Sequence, residues 1–147
     1  MQMVELLNGL GYEVVIPRHV ESGRTAISKG MLKVARRIAR KNVVFLKDVV
    51  SSEVPLVGIE PSCILSFRDE YPDLVGDDLK AAAVGLGKNC LLYDEFFVRE
   101  IHAGRIRAEQ FTEDSLKIML HGHCHQKSLA SVEPSREMLS LPANYEV

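Results

Sequence analysis

An α/β fold with a mainly parallel sheet is the expectation from three observations. Short apolar β-rich runs alternate with segments of helical period along the chain. The run Val54–Ile59 is almost wholly apolar, as in a strand covered on both faces. The residues densest in chemistry follow such runs, where α/β proteins place their sites.

The first residues read as a helix with Val4, Leu7 and Leu10 on one face. Gly9 and Gly11 let the chain turn, and Gly11–Pro17 reads as a short strand ended by proline. A polar loop is expected from Arg18 to Ile27. Ser28 then suits an N-cap for a helix to about Lys41, with Met31, Ala35, Ile38 and Ala39 buried. Val54–Ile59 is the next strand, leading into Glu60-Pro61-Ser62-Cys63, where Ser62 or Cys63 opens a helix. Asp77–Leu86 reads as helix and Leu91–Tyr93 as strand. Asp94 is expected to cap a helix to His102 that ends at Gly104. Leu116–Leu120 reads as strand, Glu133–Leu139 as helix and Tyr145–Val147 as a further strand.

With 147 residues, 46% of them hydrophobic, the chain can build a packed core. A net charge of −2 argues against nucleic acid as a partner. The basic residues between Lys29 and Lys41 fall where a helix leaves its wet face. No apolar run is long enough to span a bilayer, which leaves room only for peripheral membrane association. Three cysteines, far apart, are not a disulfide framework, so a reducing, cytoplasmic setting is expected.

His121-Gly122-His123-Cys124-His125 holds three of the chain's five histidines beside a cysteine. Imidazole and thiolate are ligands for zinc, iron or copper. Cys63 follows Glu60 at a second strand end. At a helix start, amides and the helix dipole lower a thiol pKa. Arg24, in the loop His19–Thr25, is suited to a carboxylate or phosphate. Cys90 has no companion ligand and is expected in the core. An internal echo links Val4–Gly11-Tyr12-Glu13-Val14 with Arg136–Asn144-Tyr145-Glu146-Val147, a spacing of about 130 residues that suggests two similar lobes.

Three stretches carry a resemblance: Gly58–Cys63 with Arg68–Leu74, Tyr93–Phe97, and His121–Lys127. Together they resemble the cysteine-rich domain named for its Cys-Cys-Gly (CCG) motif, found in heterodisulfide reductase and in glycolate oxidase iron–sulfur subunits. The likeness is closest to the C-terminal part of FAD-linked D-lactate or D-2-hydroxyacid dehydrogenases. It implies a Rossmann-like three-layer sandwich in two pseudo-symmetric lobes. Lobe one would be about residues 1–110, without its first strand, and lobe two would begin at about 111–147. It implies an electron-transfer module of a 2-hydroxyacid dehydrogenase, inactive as a fragment, whose partners are an FAD-binding domain or subunit and an electron acceptor. Cys63 and Cys124 match family cysteines by position. Glu21-Ser22-Gly23 stands where the first Cys-Cys-Gly falls, and Glu60-Pro61-Ser62-Cys63 keeps one cysteine of a Cys-x-x-Cys pair. Two thiols are short of the usual four of an iron–sulfur cluster. The expectation for this stretch is therefore a mononuclear ion held by Cys63, Cys124 and a histidine, or no metal. A zinc hydrolase using His121, His123 and His125 with Glu60 as acid or base is one alternative reading, and a docking module without chemistry is another.

Overall fold

The computed structural model describes residues 2–147. Helix α1 (Gln2–Gly9) packs through Leu7, and the chain turns after it at Gly11, whose φ of 91° only glycine adopts without strain. Tyr12 is then pinned twice: its amide donates to the Leu7 carbonyl (2.9 Å) and its hydroxyl to Glu100 Oε2 (2.7 Å). Residues 13–17 run on without forming the expected strand. A strand exists by pairing, and no neighbouring strand offers this stretch a ladder.

Helix α2 (Arg24–Ser28) occupies part of the expected loop. Gly30, at φ 69°, turns the chain, and α3 runs from Leu32 to Leu46. Ser28 thus belongs to one helix instead of capping the next. The buried stripe of α3 is Ala35, Ala39, Asn42, Val43 and Leu46, at helical spacing, while Met31 lies outside the helix and exposed. Lys33, Arg36, Arg37 and Lys41 form its wet face, as the sequence predicts.

The central unit is β1 (Leu56–Gly58), α4 (Pro61–Arg68), α5 (Tyr71–Leu74), α6 (Asp77–Lys88), β2 (Cys90–Leu92) and α7 (Tyr93–His102). The two strands are parallel, with Leu56 opposite Cys90 and Gly58 opposite Leu92. Alternation sends their side chains both ways. Leu56, Cys90 and Leu92 join a core built by α3, α4, α5 and α6. Val57 and Leu91 join a second core around Leu7, Phe96, Phe97 and Ile106. Gly58 lets α4 close in, since a Cβ there would stand 2.4 Å from Ile64 Cβ. Burial of Val54–Ile59 on both faces is only partly realised: Val54 is 52% and Ile59 59% exposed.

The outer edge of β2 is closed by side chains. Arg68 Nε donates to the Cys90 carbonyl (2.7 Å), the Leu92 amide donates to Glu95 Oε2 (2.9 Å), and Arg68 and Glu95 pair with each other. Glu95 therefore does the capping expected of Asp94, which is buried instead.

A 3₁₀ turn (Ala108–Gln110) leads to β3 (Leu116–Lys117), α8 (Cys124–Leu129), α9 (Glu133–Leu139) and β4 (Tyr145–Glu146). Strands β3 and β4 are parallel, with Leu116 opposite Tyr145, and make a second small sheet. The expected strand to Leu120 stops at Lys117 because β4 offers only two residues. Asp94 ties this part to α7: it accepts from Gln126 Nε2 (2.7 Å) and from the Ser135 hydroxyl. No helix of the described residues is long and apolar enough to cross a membrane.

Glu100, like Asp94, is a buried acid. Hydrogen bonds from Arg105, against the opposing effect of burial, and then from Tyr12 and Arg99, hold its carboxyl at about 2. The folded value lies below the ordinary 4.5, so its contribution is complete above about pH 4.5 and fades as pH falls toward about 2. Wild type should therefore lose more stability than Glu100→Gln between about pH 5 and about pH 3, read from urea midpoints.

Candidate functional site

Cys63 sits in the first turn of α4, directly after β1. Glu60 is the N-cap of that helix. Its carboxylate accepts from the Cys63 amide (2.6 Å), the Ser62 amide (3.2 Å) and the Ser62 hydroxyl (2.7 Å). Burial raises the Glu60 carboxyl, but the Cys63 and Ser62 side chains, and then the two amides, prevail and hold it at about 2. The amides that would favour a thiolate are thus already given to a carboxylate. Burial first, and the neighbouring Glu60 second, push the Cys63 thiol up. The lowered thiol pKa expected of a helix start is therefore reversed.

Opposite Cys63 stands Ser22, whose hydroxyl donates to Sγ at 3.1 Å. The loop that carries Ser22 is held from beneath by a buried amide. Asn42 Oδ1 accepts from the Val20 amide (2.9 Å), and its Nδ2 donates to the Glu21 carbonyl and the Tyr71 hydroxyl (both 2.9 Å). Tyr71 in turn donates to the Ser22 carbonyl (2.9 Å). Ser22, Asn42 and Tyr71 are not among the site residues that sequence reasoning selects. The available signal was Asn42, a polar residue inside the apolar stripe of α3. Arg24 forms an ion pair with Glu70 of the same chain.

The second strand-end cluster lies against α4 through α8. His123 is the N-cap of α8, its Nδ1 accepting from the His125 amide (3.2 Å). Its Nε2 stands 3.8 Å from Glu60 Oε1, which joins the two clusters. Cys124, the first residue of α8, is exposed, and so is His121 on the preceding coil. His125 is half-buried, with Nε2 unpartnered. Cys90 is fully buried in the core, where desolvation raises its thiol to about 12.

Among the described residues no group of three or more His, Cys, Asp or Glu side chains is placed to hold a metal ion. With Cys90 sealed away, two thiols remain, one of them hydrogen-bonded and kept protonated by its surroundings. This donor set does not fit a complete iron–sulfur cluster.

The Glu60 effect can be measured. Glu60→Gln keeps an oxygen at the cap but removes the charge beside the thiol. Alkylation of Cys63 near pH 8 should accelerate roughly threefold or more, with Cys124 as internal reference. An unchanged rate would mean that burial alone sets this thiol.

No family model matches the chain, and no solved structure matches it significantly. Similar proteins are found among dehydrogenases. D-2-hydroxyglutarate dehydrogenase of Pantoea ananatis is 35% identical over 74 residues, 50% of this chain and 7% of that protein. The Escherichia coli protein of the same name is 31% identical over 75 residues, again 7% of its length. One of the subunits of the anaerobic glycerol-3-phosphate dehydrogenase of Escherichia coli is 24% identical over 139 residues, 93% of this chain and 34% of that polypeptide. The chain thus spans a minor part of each relative, and it is related in sequence to dehydrogenases.

Proposed function

We propose that this chain is an electron-transfer module of the Cys-Cys-Gly type, part of a flavin-linked 2-hydroxyacid dehydrogenase. The observation that carries the reading is the alignment of 93% of the chain with one polypeptide of another, multi-subunit dehydrogenase. In support, Cys63 and Cys124 each stand in the first turn of a helix, and the two helices pack together. Residues 1–110 and 111–147 are proposed as lobe one and the start of lobe two of a Rossmann-like sandwich. The echo of Tyr12-Glu13 in Tyr145-Glu146 supports that division. The partners proposed are an FAD-binding dehydrogenase domain or subunit and an electron acceptor, in the cytoplasm or at the membrane surface. Because the described residues do not complete a cluster site, the module is proposed to be inactive alone.

The test is iron and acid-labile sulfide content with a visible spectrum, on protein purified without oxygen, alone and within its complete dehydrogenase. Little iron is expected on the isolated chain. In the complete enzyme, Cys124→Ser should lower iron content and electron transfer while the fold persists. Unchanged iron and transfer in that variant would remove Cys124 from the assignment. Zinc near one equivalent would favour hydrolysis by the histidine cluster instead. The missing third donor favours one second reading, a docking module without chemistry, which predicts unchanged transfer in both Cys63→Ser and Cys124→Ser.

A further inference from the structure

Charge is spread unevenly along this chain. Between Ser22 and Lys47 lie eight of the 18 lysines and arginines and none of the 20 aspartates and glutamates. A net charge of −2 therefore conceals a strongly cationic stretch within an otherwise acidic protein. Most of that stretch is helix α3, whose apolar stripe packs into the core. Its outer face carries Lys33, Arg37 and Lys41 at intervals of four residues, a row of about 12 Å. Arg36 flanks the row, and the exposed Val44 continues it by one turn. Arg40 and Lys47 are paired with Asp78 and Asp48. Among the described residues Lys33, Arg36, Arg37 and Lys41 have no carboxylate at ion-pair distance. Like charges at this spacing repel one another, and an anionic surface laid against them relieves the repulsion.

At the N-terminal end of this face the chain turns on Gly30 and exposes Met31 and Leu32, at 49% and 58%. Lys29 and Lys33, both exposed, bracket the two apolar side chains. A nucleic acid would meet the charges but has no place for an apolar tip standing out at a turn. An acidic protein would need an apolar pocket in register with a row of carboxylates. An anionic bilayer supplies both without any register. Its phosphates meet the row, and its acyl boundary takes the tip. The lysine stems can lie along the apolar layer while their ammonium groups stay at the phosphates.

We propose that the α2–α3 turn and the outer face of α3 dock this chain on an anionic lipid bilayer. Met31 and Leu32 enter the acyl boundary, and Lys33, Arg36, Arg37 and Lys41 rest on the phosphates. This inference goes beyond the electron-transfer reading and does not depend on it, because its test needs neither iron nor a dehydrogenase partner.

The test is co-sedimentation of the whole chain with lipid vesicles. Pelleting is expected with phosphatidylcholine vesicles containing about one-third phosphatidylglycerol, and not with pure phosphatidylcholine. Raising salt from about 50 to about 500 mM should weaken it about tenfold or more. Each cation near an anionic surface strengthens association about fivefold, so Lys33→Glu combined with Arg37→Glu should lower affinity about twentyfold or more. Met31→Ser combined with Leu32→Ser keeps every charge and should lower affinity about fivefold. All four side chains are exposed, so urea midpoints close to wild type will separate lost binding from lost fold. Any of three results would overturn the proposal. They are no pelleting of the folded protein, equal pelleting with neutral vesicles, and tighter binding to poly-glutamate or to a duplex oligonucleotide than to the anionic vesicles. The last would give the face to an acidic protein or to a nucleic acid.

Discussion

Asn42→Ala should lower the unfolding free energy by about 2–4 kcal/mol, one of the two largest effects expected of a single change. The side chain is fully buried and both of its polar atoms are engaged. Its removal strands the Val20 amide and the Glu21 carbonyl beneath a short loop. A stranded buried group costs about 1–3 kcal/mol, and water entering from the loop side would recover part of that. Tyr71 keeps its bond to the Ser22 carbonyl, so the loop should loosen without leaving altogether. Urea unfolding gives the energy. Alkylation of Cys63 gives the location, because a loosened Ser22 uncovers Sγ. A loss below about 1 kcal/mol with unchanged labelling would show that other contacts hold the loop.

Asp94→Ala is expected to cost about 3–5 kcal/mol. The carboxylate is buried and accepts from the Gln126 amide and the Ser135 hydroxyl. These donors come from α8 and α9, so one side chain of α7 secures both. Hydrogen bonds to a charged acceptor contribute about 1.5–3 kcal/mol each; without Asp94, Gln126 Nε2 keeps the Ser131 carbonyl (3.0 Å) while the Ser135 hydroxyl loses its acceptor. The loss should be local before it is global. Amides of residues 124–139 should exchange faster in the variant while those of α3 keep their protection. Uniform acceleration along the chain would mean instead that Asp94 supports the whole core. Asp94→Asn should fall between the two, since it keeps one acceptor oxygen but turns an amino group toward donors.

The elements legible in the sequence were those whose information is local. Helices α1, α6, α7 and α9 follow from apolar spacing, and Cys90 was placed in the core for want of any companion ligand. Strands were less legible because a strand depends on a neighbour far away in the chain. Residues 13–17 have the residues of a strand and no partner, and Leu116–Leu120 is cut short by the length of β4. At the site, a helix opening at Ser62 or Cys63 was legible and begins one or two residues earlier, at Pro61, but the state of Cys63 was not. The same helix start that favours a thiolate also favours a carboxylate, and Glu60 takes the amides first. Asn42 was hidden because its partners lie some twenty to thirty residues away, in a loop and on α5.

The Arg68–Glu95 closure of β2 also governs how this protein can go wrong. Open-ended stacking of strands into a filament needs two free edges on every unit. Here one edge carries a guanidinium and a carboxylate across its backbone groups, so growth by edge pairing ends after a single addition. On the β1–β2 sheet an open edge therefore does not lead to open-ended growth.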